Sequence, residues 1–181
     1  PPTDADSTPS FSFLSAERAT LHRDELRRLP AGLKQGVSAG EASSTTVDGL
    51  KRIDIMLKDV CLHNGLDDGT GRVVVKMNRN GREIQKPLHG MGAYLNQCKP
   101  MKAPLSDQLV SRLRSTIKIR NDVSHDDILL PASKGLEYCL LGLELLKQVS
   151  LPVSASEAKV LELPDPVHQE LLDSDDKLRR A

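Results

Sequence analysis

The chain has to build its core almost entirely from aliphatic side chains. Only 2% of its 181 residues are aromatic and none is Trp. Leu, Ile, Val and Met recur instead at three- and four-residue spacings over several stretches, the pattern of amphipathic helices that bury one stripe each. The fold class this implies is all-α: a helical bundle of four to five main helices. One interruption is expected, a small β-hairpin. Residues 72–77 (RVVVKM) read as a strand, Asn80-Gly81 as a tight turn and 82–85 as the return.

The helix boundaries follow from capping chemistry. Ser15 is placed to cap a charged helix over 15–29 that Pro30 stops. Residues 31–46, rich in Gly, Ser and Thr, read as a loop. Thr45 or Thr46 then caps a helix with Leu50, Ile53, Leu57 and Val60 on one face, closed by Asn64-Gly65. Residues 67–71 (DDGTG) are a turn, without the later acids that a calcium loop needs. Pro87 suits the first turn of a helix over 87–98. Ser106 and Asp107 start a helix whose apolar line is Leu109, Leu113 and Ile117. After Pro131, a helix over 133–149 carries Leu136, Leu140, Leu143 and Leu146 on one side, with Leu141 and Leu145 off it. So wide an apolar surface implies burial on two sides, in the bundle or at a dimer interface.

At this length one domain is expected, over residues 15–150. Residues 1–14 read as a disordered N-terminal segment, and 151–181 as a mobile polar tail with a short helix near 155–163. A chain that starts at Pro1 is expected to be a processed product or a piece of a longer protein. No apolar run nears the about 20 residues that span a bilayer, and the first residues do not have the form of a signal peptide. Cys61, Cys98 and Cys139 are scattered through apolar helical patterns. They read as reduced core residues of an intracellular, cytoplasmic protein. With no metal-ligand spacing among the cysteines and histidines, neither a metal nor another cofactor is expected. His22, His63, His89 and His168 read as surface or loop residues.

Net charge is zero, but it is unevenly spread. Residues 71–125 hold eleven cations and three anions, +8 against −8 in the flanks together. A basic middle of this kind can meet a phosphate backbone. Arg112, Arg114 and Lys118 are its members nearest the segment that looks most like chemistry, Arg120-Asn121-Asp122-Val123-Ser124-His125. An arginine offers a permanent cation with a fork of donors for phosphate oxygens. A histidine moves protons near neutral pH. An asparagine can bond phosphate or ribose and aim the histidine. Arg82 and His89 match the spacing loosely, but Glu83 replaces the amide and Pro87 interrupts them.

The hexapeptide resembles the RNxxxH motif of the HEPN superfamily (higher eukaryote and prokaryote nucleotide-binding domains). The resemblance extends over about residues 44–150, with the specific part confined to these six residues. It implies a metal-independent endoribonuclease acting on RNA, with Arg120, Asn121 and His125 as catalytic residues. It also implies a homodimer with one composite site. Asn121 and His125 share a helix face, whereas Arg120 and His125 lie about 140° apart, which fits either an unwound helix end or two motifs facing each other, and the resemblance implies the second. One helix does not clamp one phosphate with both groups. The competing reading is a non-catalytic helical dimerisation module that binds protein or nucleotide. There Arg120 pairs with Asp122, Asp126 or Asp127 on the surface, and three acids beside the motif repel RNA.

Overall fold

The computed structural model describes residues 10–34, 36–125 and 129–151, apart from the side chains of 123–125. The expected leader up to residue 9, the expected tail from 152, Asp126, Asp127 and His168 lie outside these residues. The described part is mostly helical: α1 (Ala16–Arg28), α2 (Ala39–His63), α3 (Met91–Cys98), α4 (Asp107–His125) and α5 (Ala132–Val149). A 3-10 turn, Leu29–Leu33, joins α1 to the segment before α2. Strands β1 (Val74–Arg79) and β2 (Arg82–Pro87) form an antiparallel hairpin between α2 and α3. No described helix is long and apolar enough to cross a membrane.

Long α2 and α5 form the centre of the fold. Ile53, Met56, Leu57 and Val60 of α2 are fully buried with Leu141, Leu145 and Val149 of α5. Two glycines let neighbours close in on α5. A methyl group at Gly142 would lie 2.9 Å from Leu26 Cδ2, and one at Gly135 would lie 2.7 Å from Leu33 Cδ1. Leu136, with half-buried Leu140 and Leu143, packs on Leu33. The wide apolar surface of α5 is therefore largely taken up within the chain.

Four expected boundaries move. Helix α2 starts at Ala39, inside the expected loop. Ser38 Oγ accepts from Glu41 N at 3.3 Å, and Glu41 Oε2 accepts from Ser38 N at 3.0 Å. This reciprocal cap, with burial of Ala42, Ser43 and Thr46, outweighs the weak helix propensity of Gly, Ser and Thr. Pro87 ends β2 instead of starting a helix. It pairs with Val74, and α3 begins after Gly90 at φ 86°. Pro30 does not stop the first helical segment outright, because the 3-10 turn carries it. Within residues 10–14, expected to belong to the disordered leader, Leu14 packs into the core and Phe11 against it. Leu14 is fully buried and bonds both Val149 and Leu151 of the α5 exit (N→O 2.9 Å, O←N 3.0 Å). Asn64 exchanges two bonds with Ser12, at 2.8 and 3.0 Å.

Candidate RNA-facing site on the fourth helix

Helix α4 is started by Ser106, whose Oγ accepts from Leu109 N at 3.2 Å. From there its inward stripe is Leu109, Leu113 and Thr116, all buried, with half-buried Ile117. Arg120 falls on the same stripe, since three to four residues make one turn. It is half-buried rather than surface-mounted. A methyl group at Gly90 would lie 3.8 Å from its Nη1, so the guanidinium sits at the N-terminal end of α3.

Asp126 and Asp127, which the competing reading pairs with Arg120, lie outside the described residues. The charge of Arg120 acts on Asp54 of α2 and on Tyr94 of α3. Burial holds the Asp54 carboxyl above its ordinary value, and the charges of Arg120 and then Lys58 oppose that only in part. Asp54 Oδ1 is buried and receives no hydrogen bond among the described residues. Burial likewise raises the Tyr94 phenol, while a backbone hydrogen bond with Gly90 and the Arg120 charge oppose that. Nothing in the local sequence of the motif reveals Asp54, which lies in a different helix. Its only signal was an acid next to a buried α2 stripe.

The other motif positions point elsewhere. Asn121 and Asp122 are exposed, as are Arg112, Arg114 and Lys118. On an ideal helix, positions 114, 118, 121 and 125 fall within about 60° of one another, about 100–160° from Arg120. They fall on one line along α4, exposed at Arg114, Lys118 and Asn121. Arg112 lies nearly opposite Arg114 on the helix, about 160° away, and does not join it. The backbone is helical through residue 125; the His125 side chain lies outside the described residues. The chain therefore presents Asn121 with two cations, and turns Arg120 toward the Gly90–Asp54 corner.

A second polar cluster was not expected. His22 is buried, 7% exposed, not a surface residue. Its Nε2 lies 2.8 Å from Asp59 Oδ2. Arg18 donates to the same carboxylate from Nε at 3.0 Å and from Nη2. Burial works to raise the Asp59 carboxyl, but the hydrogen bonds and charges of His22 and Arg18 hold it at about 2. Arg18 and His22 are one helical turn apart on α1, which is the only trace of this cluster in the sequence. With Leu21 and Ile55 they line a groove of about 480 Å3 between α1 and α2.

The three cysteines are free and buried. Burial pushes the thiols of Cys61, Cys98 and Cys139 up to about 12, 11 and 12. Among the described residues, no three His, Cys, Asp or Glu side chains gather as metal ligands. Comparison with family models, with curated proteins and with solved structures finds no match to this chain.

Proposed function

We propose that the chain is a HEPN-like endoribonuclease that cleaves RNA without a metal, acting as an intracellular homodimer. The observation that carries this reading is the alignment on α4: exposed Arg114, Lys118 and Asn121 form one line, which position 125 continues on an ideal helix. An RNA backbone laid along that line meets two cations before it reaches the amide and the histidine. In the proposed reaction the ribose 2′-oxygen attacks phosphorus and the bond to the 5′-oxygen breaks. One histidine takes the 2′-OH proton, and a second returns a proton to the leaving oxygen. The products are a 2′,3′-cyclic phosphate and a 5′-hydroxyl. Arginine stabilises the charge of the phosphorane. DNA, lacking the 2′-OH, is refused. Arg120 faces about 140° away from position 125, so the reading requires two motifs brought together about a two-fold axis.

A second reading, the non-catalytic helical module, is favoured by the electrostatic pairing of Arg120 with half-buried Asp54. There Arg120 ties α4 to α2. One experiment separates the two. A fluorescent oligoribonucleotide is incubated with the chain in EDTA, beside Arg120→Ala and His125→Ala, and melting curves are taken of all three. Loss of cleavage in both variants, with His125→Ala melting as the parent chain does, supports the nuclease. Full activity in both variants, or activity lost in EDTA and restored by magnesium, overturns it. A parent chain without activity, whose Arg120→Ala form melts early, points to the module.

A further inference from the structure

The hairpin contributes little to the core, and its composition is lopsided. Only Val74 of β1 is buried, and every residue of β2 is exposed. Side chains alternate between the two faces. The register therefore puts Val75, Met77 and Arg79 on one face, opposite Lys86, Ile84 and Arg82. That face has three cations and no acid. The hairpin's acid, Glu83, lies on the other face and pairs with Lys76 at 3.0 Å. Among the described residues Arg79, Arg82 and Lys86 make no ion pair.

Two features on this face work against a free-standing hairpin. Arg79 and Arg82 are direct cross-strand neighbours beside the turn at Asn80 and Gly81 (φ 53° and 76°). Like charges so placed destabilise a two-stranded ribbon that is marginal to begin with. Met77 and Ile84, also cross-strand partners, are 45% and 39% exposed. A polyanion would relieve the first feature, and its bases or sugars would cover the second.

The base of the hairpin leads to the motif. Leu88, directly after β2, donates to Val73 O at 2.8 Å. Two residues further on, Gly90 lies against the Arg120 guanidinium.

We propose that the hairpin is an RNA-holding arm, whose cationic face lies along the phosphodiester backbone of the strand delivered to α4. This rests on the RNA reading above for the identity of the polyanion. Arg82 and Lys86 are four residues apart, about 13 Å along the strand, so the face grips more than one phosphate. An anionic membrane fits less well. The polar tip, Asn78 to Gly81, would have to lead the apolar pair into lipid and carry Arg79 with it.

The test measures binding apart from cleavage. Fluorescence anisotropy of a labelled single-stranded oligoribonucleotide is followed against salt, using the full chain carrying His125→Ala. It is compared with the same chain bearing Arg79→Ala, Arg82→Ala and Lys86→Ala. A control with equal charge loss carries Lys99→Ala, Lys102→Ala and Lys147→Ala, three exposed lysines off the hairpin. The hairpin variant is expected to bind about tenfold more weakly, with a salt slope shallower by about 2, as three lost single-strand contacts require. Arg79→Lys with Arg82→Lys should restore binding, which excludes misfolding as the cause. Hairpin-dependent binding in a parent chain that cleaves nothing upholds the arm and overturns the nuclease. Cleavage that keeps its KM when the three hairpin substitutions are made with His125 intact overturns the arm and leaves the nuclease. Hairpin and control variants that bind equally, or binding to phosphatidylserine vesicles without binding to RNA, also overturn the arm.

Discussion

Asp59 is the anion that fastens α1 to α2, and its replacement by Asn is the sharpest probe of this fold. The side chain is 10% exposed and accepts from both Arg18 and His22. Its carboxyl is held at about 2, against an ordinary 3.8. At about 1.36 kcal/mol per pH unit, that difference is worth about 2 kcal/mol of folding free energy at neutral pH. Arg18 is 53% exposed, so solvent screens part of the pair. The loss should therefore fall below the about 3–5 kcal/mol seen when a fully buried pair is broken. For a domain of this size Tm should drop by about 4–8 °C. The pH dependence follows from the sign. A depressed carboxyl stabilises the fold fully above its unfolded value, and that stability is lost as pH falls toward the folded one. Urea unfolding of parent and Asp59→Asn chains should differ by about 2 kcal/mol at pH 7. The gap should close progressively below about pH 4. A gap under about 0.5 kcal/mol at pH 7, or one that stays constant down to acid unfolding, would refute the reasoning.

Three further outcomes are expected. Gly142→Ala should destabilise by about 1–3 kcal/mol in urea melts, because its methyl would press on buried Leu26 at 2.9 Å and on Met56 Cε at 3.3 Å; an unchanged midpoint would show that α5 has room to shift. Cys61, Cys98 and Cys139 should not react with a thiol-specific reagent at neutral pH until the chain unfolds, since burial raises all three thiols; rapid labelling of the native chain would contradict their placement. Light scattering should find a homodimer, and Leu129→Glu should dissociate it and remove cleavage, because Leu129 is 63% exposed four residues past His125; a monomer at tens of micromolar would count against the composite site.

What the sequence determined by itself is local or periodic. The aliphatic stripes specify helices, Ser15 and Ser106 specify two helix starts, and Asn80-Gly81 specifies the turn of the hairpin, because each signal acts over a few residues. The burial of the three cysteines was readable for the same reason, from their position in apolar stripes. Other boundaries depended on the rest of the molecule. The first turns of α2 are poor in helix formers, yet they are helical because Ser38 and Glu41 cap each other and Thr46 is buried. Pro87 belongs to a strand because Val74 lies opposite it. Leu14 is core because α5 ends beside it. The candidate site divides along the same line. The sequence placed Arg120, Asn121 and His125 on α4 and gave the angle between them. Only the packing of α4 on α2 and α3 decided that Arg120 turns toward Gly90 and Asp54 while Asn121 stays in solvent. Asp54 and Asp59 could not be identified as partners beforehand. A helix records in its sequence which residues share a face, but what that face meets is set by chain segments dozens of residues away.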